Sequence, residues 1–317
     1  MKIIRNVSGC LLLAWLFIQC NSSTKNKVDY ETILKDDNFR ASIKSGSFVR
    51  LSNGYTYYEL NHQNPDTLIV FVHGFSVPSY IWDSTYQAVI KHGYSALRYD
   101  TYGRGYSDCP DTIYDVALYS NQLKELLDEL KITKPITLLG LSDGGRTISA
   151  FAFQYPEQVK NLVYVDAAGF DTVSDTTTYP AFVSDQEVEA FKQTERYSNM
   201  AKGQMTDFYD SVPFRGWDKR YLEIMQYKGF VRALLSTNKN RTDLETEHRR
   251  IAKEKAPVFA IWGEHDTVVK LEDVRANLLD RIPNIQLRVI PQAGHLPHME
   301  QTTKFNSILF DEIILKN

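Results

Sequence analysis

Cysteine is scarce in this chain, and no group of side chains is spaced for binding a metal. The 317 residues include three cysteines and seven histidines, and these do not combine with acidic residues at typical metal-site spacings. The net charge is only −3, and a basic stripe with interleaved aromatic residues is missing. We therefore expect no metal, no organic cofactor and no nucleic-acid partner. Repeats and low-complexity tracts are absent too, which fits one large globular domain or a domain with an insertion.

Long hydrophobic runs are also missing, and the apolar segment at the N-terminus is short. Residues 9–18, GCLLLAWLFI, follow a basic start and are too short to cross a bilayer comfortably. Residues 1–20 resemble a bacterial lipoprotein signal, which implies that Cys20 is lipidated and becomes the first mature residue. Phe17-Ile18-Gln19 departs from that pattern, so a plain secretory signal and an uncleaved anchor stay open as alternatives.

The lipoprotein interpretation predicts an exported protein, anchored to a membrane by its lipid on the periplasmic or cell-surface side. A soluble secreted or periplasmic protein is the alternative. Loss of Cys10 with the signal and acylation of Cys20 would leave Cys109 alone, so no intrachain disulfide is expected.

Apolar runs bounded by turn residues predict strands that alternate with helices. The predicted strands are a hairpin within 47–61, then 66–74, 94–100, 135–141, 161–169, 256–266 and 285–295. The predicted helices are 114–132, a segment after Ser142, 271–282 and 299–315. This alternation implies an α/β fold with a mostly parallel sheet, helices on both faces and antiparallel strands at one edge.

The alternation stops between 170 and 255, a segment rich in charge and large aromatic residues. We interpret it as a helical cap over the carboxyl edge of the sheet, where such folds bind ligands. Most of its aromatic residues are expected to form the cap's own core, with some, such as Trp217, facing a pocket. The predicted division is a signal at 1–20, a linker and N-terminal segment at 21–45, a core at 46–169 and 256–317, and a cap at 170–255.

The stretch LLGLSDGGRTISAF places a lone serine among glycines where a strand passes into a helix. Ser142 lies between Gly140 and Gly144, and so sharp a turn needs small neighbours. It holds the central residue in a strained backbone conformation with an exposed side chain. Because a serine hydroxyl is a weak nucleophile by itself, this interpretation requires a base, an acid and an anion site elsewhere.

The base and acid are expected in loops that open at the same edge of the sheet. WGEHD ends one predicted strand with Asp266, and PQAGH ends the last strand with His295. The order Ser142, Asp266, His295 is expected for a serine nucleophile on such a sheet. His295 would take the hydroxyl proton and return it to the leaving group, and Asp266 would orient the imidazole.

Rival residues are present nearby. Asp166 ends the strand after the nucleophile helix and could reach the histidine from there. His298, Glu264 and His265 are weaker candidates, because they only neighbour the predicted residues in sequence.

The anion site should consist of two backbone N–H groups aimed at the developing oxyanion. Asp143 supplies one at the positive end of the helix. Phe75, in the loop after the first parallel strand, is expected to supply the other, with His73 as a structural turn residue.

Taken together, VHGF, YDTYGRGYSD, GLSDGG, WGEHD and AGHLPHME resemble the successive signatures of the alpha/beta-hydrolase superfamily with a helical cap. The resemblance covers roughly 47–315 apart from the cap and implies an eight-stranded sheet. It also implies the roles given above to Ser142, Asp266, His295, Phe75 and Asp143, and a scaffold role for Asp100 and Arg104. Members resembling haloalkane dehalogenases or epoxide hydrolases carry aspartate at the nucleophile position, where this chain has Ser142.

Asp143 departs from many relatives, which carry methionine, leucine or glutamine there. An acidic residue in a first helical turn complements the helix dipole, worth about 0.3–1 kcal/mol. A functional alternative is that its carboxylate binds a cationic substrate such as an aminoacyl ester, since valacyclovir hydrolase-like members have a similar SDGG turn. Asp143 and Trp217 are therefore the candidate substrate-binding residues.

These observations predict a serine hydrolase that cleaves a carboxylic ester through an acyl-serine intermediate, as a carboxylesterase or monoacylglycerol-type lipase does. The expected partner is a small-molecule ester with an apolar acyl chain. The alternatives are an aminoacyl-ester or peptide hydrolase, a carbon–carbon bond hydrolase, and a non-catalytic ligand-binding protein. The loop GFSVPS lacks the glycine-rich sequence typical of carbon–carbon bond hydrolases.

Overall fold

The computed structural model describes residues 29–64, 66–172 and 180–315. Within them, one sheet contains β1 (Ser47–Leu51), β2 (Gly54–Asn61), β3 (Leu68–Val72), β4 (Ser95–Tyr99), β5 (Ile136–Leu141), β6 (Val159–Val165), β7 (Val258–Gly263) and β8 (Gln286–Ile290). Their spatial order is β1-β2-β4-β3-β5-β6-β7-β8. The β1–β2 and β2–β4 pairs are antiparallel, and the other pairs are parallel. The expected eight-stranded, mostly parallel sheet is confirmed.

The central strands are apolar throughout because the sheet is covered on both faces. Every residue of β3, β4, β5 and β7 is buried. Side chains alternate between the faces, so Ile69 and Phe71 join one apolar cluster and Val70 and Val72 join the other.

Helices cover both faces and form the cap. The core helices are α1 (Asp37–Ser42), α2 (Asp83–Lys91), α3 (Val116–Glu129), α4 (Gly144–Gln154), α10 (Leu271–Arg281), α11 (Pro297–Glu300) and α12 (Thr302–Ser307). Between β6 and β7 lie α5 (Asp185–Lys192), α6 (Glu195–Gly203), α7 (Trp217–Ile224), α8 (Phe230–Lys239) and α9 (Glu245–Ile251). These five helices occupy the segment predicted to be a cap.

The C-terminal segment departs from the single helix predicted over 299–315. It forms α11, α12 and a π-helical segment, Ile308–Ile314. Gln301 separates the first two with a non-helical backbone (φ −123°, ψ 50°). Its side-chain amide donates to the Gln292 carbonyl at 2.9 Å, so a contact to the preceding loop competes with helical continuation.

The N-terminal segment packs on the cap from residue 29 onward. Ile33 forms a parallel bridge with Tyr227, and Lys192 of α5 pairs with Glu31 at 2.8 Å. Cys20 lies outside the described residues, so its lipidation stays a prediction. Among the helices that the structure does describe, none is both long and apolar enough to cross a membrane.

Candidate active site

Ser142 lies at the sharp turn between β5 and α4. Its φ of +52° is in the left-handed region, which a residue other than glycine seldom occupies. Neighbouring backbone fixes it there: the Ser142 N–H donates to the Val165 carbonyl at 2.9 Å, and its own carbonyl accepts from Gly145 and Ala168, each at 2.9 Å. These bonds hold the strained conformation that was predicted from the glycine-flanked serine.

Small residues at this turn are a steric requirement. A Cβ on Gly140 would lie 2.6 Å from the Gly144 carbonyl oxygen. One on Gly144 would lie 2.6 Å from the carbonyl oxygens of both Val72 and His73. The helix can therefore start directly beneath β3 only if glycine occupies these positions.

His295 and Asp266 form a buried hydrogen-bonded pair in the loops that follow the neighbouring strands β8 and β7. Nδ1 of His295 lies 2.9 Å from Oδ2 of Asp266. The other carboxylate oxygen of Asp266 accepts from the N–H groups of Val268 and Val269 at 2.8 and 3.1 Å. The carboxylate is thereby fixed in place, and with the proton on Nδ1 the opposite ring nitrogen is left to accept one.

Ser142 and His295 line the same cavity, which we call the Ser142 cavity, with a volume of about 150 Å³. Phe75 and Gly74 line it from the loop after β3. The structure therefore brings the predicted nucleophile, base and oxyanion loop to one cavity, with Asp266 directly behind the base. A Cβ on Gly74 would lie 3.1 Å from the Cβ of Ser142, which shows how closely the loop approaches the serine.

The charge around His295 favours its protonated form. Burial alone lowers the pKa of the imidazole, but the hydrogen bond and charge of Asp266, with the charge of Asp207, outweigh it and raise the pKa above 6.5. An imidazolium formed during a reaction is thus stabilised where it arises.

Asp166, the rival acid, supports Asp266 instead of replacing it. It directly follows β6, with φ +42°, and its Oδ1 accepts from the Gly263 N–H at 2.8 Å. Burial, followed by the charge of Asp266, raises the pKa of Asp166 well above 3.8. Two adjacent buried carboxylates cannot both ionise easily, so Asp166 holds the proton and Asp266 carries the charge beside His295.

Sequence spacing did not predict how closely these acids approach. Possible ligand atoms of Asp166, Asp266 and His295 lie within 4.8 Å of one another. The His295–Asp266 hydrogen bond and the proton held by Asp166 account for this cluster without an ion. The absence of a metal remains a prediction.

The other histidine candidates make structural contacts. His298 lies 2.9 Å from the Ile81 carbonyl through Nε2 and packs on Trp82. His73 accepts from the Thr101 N–H at 2.9 Å. Burial lowers the pKa of both to about 3, so both stay neutral. His265 and Glu264 are exposed.

Two guanidinium groups flank Phe75, the predicted oxyanion donor. Arg104 and Arg241 lie 5.5 and 5.1 Å from its ring centroid. Arg104 also donates through Nε to the Phe75 carbonyl at 2.5 Å and through Nη2 to Thr237 of α8 at 3.0 Å. This supports the scaffold role expected for Arg104 and connects the oxyanion loop to the cap.

The structure does not support the substrate-binding role expected for Asp143. Its carboxylate pairs with Arg241 of the cap at 3.1 Å. It lines two small recesses beside Thr147 and Tyr119, not the Ser142 cavity. A cationic group of the chain itself therefore occupies the place that a cationic substrate would need.

Trp217 likewise does not line the Ser142 cavity. The ring is buried in α7, with centroids 5.5 Å from Tyr80 and 6.0 Å from Phe208, both at steep angles. It packs between the cap and the loop after β3, in an apolar cluster that also contains Ile69 and Phe71 of the sheet, so it lies neither in the cavity wall nor in a separate cap core.

Asp207 is a cavity residue that sequence reasoning missed. It ends a 3₁₀ turn, Gln204–Asp207, and both end residues line the Ser142 cavity. Burial raises the pKa of Asp207 to about 6, against the opposing effect of His295. No motif surrounds it, because cap residues reach the cavity only through tertiary packing.

Comparisons with known proteins agree with this geometry. Residues 67–302 match the family model described as alpha/beta hydrolase fold. The chain is 25% identical to a 2-hydroxy-6-oxononadienedioate/2-hydroxy-6-oxononatrienedioate hydrolase from Cupriavidus pinatubonensis, over 86% of this chain and 98% of that protein. It is 24% identical to lipase 1 from Psychrobacter immobilis, over 85% and 84%.

A solved esterase from Exiguobacterium antarcticum superposes with a TM-score of 0.69 at 24% identity, covering 84% of this chain and 99% of the esterase. A meta-cleavage product hydrolase from Pseudomonas fluorescens superposes with the same TM-score at 22% identity, over 86% and 99%. At these identities the superpositions show the shared fold alone. The family match over most of the chain, on a sheet that carries a strained serine and a buried His–Asp pair, shows that this protein belongs to the alpha/beta hydrolase fold family.

Proposed function

We propose that this protein is a serine hydrolase that cleaves carboxylic esters. The observation that carries the proposal is the left-handed Ser142 in one cavity with His295, whose Nδ1 lies 2.9 Å from Asp266. A relative named as a lipase adds support.

The reaction begins when the Ser142 hydroxyl oxygen attacks the ester carbonyl and its proton passes to Nε2 of His295. The N–H groups of Phe75 and Asp143 stabilise the negative charge that develops on the carbonyl oxygen. Collapse of the tetrahedral intermediate breaks the bond to the alcohol, which takes the proton from His295. Water then attacks the acyl-serine, again with His295 as base, and releases the acid.

The Ser142 cavity favours a small apolar acyl group. Its wall includes six apolar side chains: Phe75, Val77, Ile81, Leu141, Val268 and Leu296. Its volume of about 150 Å³ is below the roughly 300–1,000 Å³ of common small-molecule pockets. A short-chain carboxylesterase therefore fits better than a long-chain lipase.

Ser142→Ala should abolish hydrolysis of 4-nitrophenyl esters, with a loss of about 10³-fold or more, because the nucleophile is removed. For the unaltered chain, we expect rates to peak at short acyl chains in an acetate-to-palmitate series. Ser198→Ala, at an exposed serine of α6, is the control and should keep full activity.

Fluorophosphonate labelling of the same proteins separates the alternatives. Labelling at Ser142 without ester turnover would shift the assignment to carbon–carbon bond hydrolysis, the reaction suggested by the names of other relatives. A folded chain that does not label would contradict any serine hydrolase and favour ligand binding.

The pH dependence should follow His295, which acts as base only when neutral. Because its pKa is raised above 6.5, kcat/KM should be maximal above that pKa and fall as the pH drops through it. Asp266→Asn removes the main raising influence, so the acid limb should move to lower pH while the plateau drops about 10³- to 10⁴-fold. Rates measured from pH 5 to 9 test both effects, and an unmoved acid limb would contradict the role of Asp266.

Asp207 supports a second candidate function, hydrolysis of esters whose acyl group carries an ammonium. Asp207 lines the Ser142 cavity, and its carboxylate forms no ion pair with a lysine or arginine of the described residues. With a pKa of about 6, it is mostly ionised at pH 7.5. The cationic-substrate role once expected of Asp143 thus suits Asp207 better.

Asp207→Asn distinguishes the two candidates when tested on a matched pair of substrates. Alanine 4-nitrophenyl ester carries an ammonium where 4-nitrophenyl isobutyrate has a methyl group. If Asp207 binds the ammonium, the variant should lose about tenfold in kcat/KM for the alanine ester, as expected for a charged hydrogen bond, and little for the isobutyrate. Equal losses on both esters would contradict this function and indicate an effect through His295.

We further propose that the protein is exported and anchored through a lipid on Cys20. The support is the basic start, the short apolar run and the polar stretch after Cys20. Expression in bacteria with radiolabelled palmitate should label the unaltered chain and not Cys20→Ala, with Cys109→Ala labelling normally. Palmitate incorporation independent of Cys20 would contradict the proposal.

A further inference from the structure

A second cavity, with a volume of about 290 Å³, lies beside the loop that follows β3. It is nearly twice as large as the Ser142 cavity of about 150 Å³, and the two share no lining residue. Residues 78–80 of the loop face the second cavity, and residues 74–77 face the first. Arg220 and Glu223 of α7 contribute to its wall from the cap.

Tyrosine rings form much of this wall. Tyr57, Tyr80, Tyr106 and Tyr227 all line the cavity. The centroids of Tyr57 and Tyr106 are 5.0 Å apart with the rings at 88°, and those of Tyr106 and Tyr227 are 6.1 Å apart at 64°. Rings at such steep angles form adjacent walls, as in the aromatic cages that bind ammonium groups.

Cations of the chain already lie on two of these rings. The guanidinium carbon of Arg220 is 3.6 Å from the centroid of Tyr80, and Nζ of Lys35 is 5.5 Å from that of Tyr227. Lys35 is also held by the Gly105 and Ser107 carbonyls and Arg220 by Asp83, and both place positive charge on ring faces of this cluster, as a cation–π contact requires.

Carboxylates outnumber guanidinium groups around the cavity by four to two: Glu59, Asp83, Asp100 and Glu223 against Arg98 and Arg220. Both arginines are already paired. Arg98 contacts Glu59 at 2.9 Å and also Asp83, whose second oxygen accepts from Arg220 at 3.1 Å. The wall therefore has no spare cation for an anionic ligand.

Glu223 is the one of these four carboxylates without an ion-pair or hydrogen-bond partner among the described residues. Asp100 is held by the Ser79 N–H and the Tyr106 N–H, each at 2.8 Å, whereas Glu223 is exposed and forms no ion pair with the described residues. After burial, its charge is one of the causes that raise the pKa of the Tyr106 and Tyr227 hydroxyls. The negative charge of Glu223 thus acts on the part of the cavity that Tyr106 and Tyr227 line.

We propose that this cavity binds a small organic cation, an alkylated ammonium group, with Tyr57, Tyr106 and Tyr227 as the cage and Glu223 as counter-ion. An anionic ligand would be repelled by the unpaired carboxylate of Glu223, and a neutral apolar ligand would form no ion pair with it. The ligand site is distinct from the Ser142 cavity and does not depend on the proposed ester hydrolysis.

Calorimetric titration of the full chain with tetramethylammonium chloride, against sodium chloride at equal ionic strength, tests the proposal. We expect saturable binding, with tert-butanol as a neutral analogue binding at least tenfold more weakly. Glu223→Gln should weaken binding about three- to tenfold at low salt. Asp218→Asn, a charge removed from the same helix outside the cavity, is the matched control and should have little effect.

Two variants of Tyr106 test whether binding requires the aromatic ring. Tyr106→Phe keeps the ring and should bind within about twofold of the unaltered chain, whereas Tyr106→Leu should bind about tenfold more weakly. Saturable binding retained after fluorophosphonate has blocked Ser142 would place the cation outside the Ser142 cavity. Absence of binding, loss of binding on that blockage, or equal weakening by Glu223→Gln and Asp218→Asn would overturn the proposal.

Ester hydrolysis by Glu223→Gln is measured in parallel and should be unchanged, because Glu223 does not line the Ser142 cavity. A failure of cation binding is then distinguished from a failure of the proposed ester hydrolysis. Choline and phosphocholine as further probes identify the source of the cation. Tighter binding of phosphocholine indicates a lipid headgroup, and tighter binding of choline indicates a free amine.

Discussion

The left-handed backbone at Ser142 is the constraint on which the rest of the site depends. It allows β5 to turn directly into α4, and α4 then passes so close beneath β3 that only glycine fits at position 144. The helix cannot move to relax the serine, because the carbonyls of Val72 and His73 already touch its first turn. The same close contact brings the loop after β3 over the serine, so Ser142 and this loop are fixed by one packing arrangement.

A second constraint is the placement of two buried acids and one half-buried acid around one imidazole. Asp166 and Asp266 are neighbours in an apolar environment, and Asp207 adds charge from the cap. Electrostatic repulsion is lowest when Asp166 keeps its proton and Asp266 is ionised against His295. The charge state of the His295–Asp266 pair therefore depends on Asp166, a neighbour that has no part in the proposed proton transfer.

The sequence allowed the sheet, its connectivity and the residues at strand ends to be predicted, because buried strands and sharp turns leave local patterns. Ser142 directly follows β5, and Asp266 and His295 lie in the loops that follow β7 and β8, so all three belong to this class. Asp207 could not be predicted, because its cavity position depends on how the cap folds back. For the same reason Asp143 was assigned to a substrate, when its partner, Arg241, lies 98 residues further along the chain.

The pairing of Asp143 with Arg241 connects the cap to the predicted oxyanion site. Arg241 contacts the side chains of both residues whose N–H groups are predicted to bind the oxyanion: the carboxylate of Asp143 and the ring of Phe75. Arg104 adds a second connection, from the Phe75 carbonyl to Thr237 of α8. Movement of the cap away from the sheet would separate Asp143 from its counter-ion and remove a guanidinium from Phe75. In this chain, contacts of Arg241 and Arg104 thus connect the position of the cap to the position of Phe75.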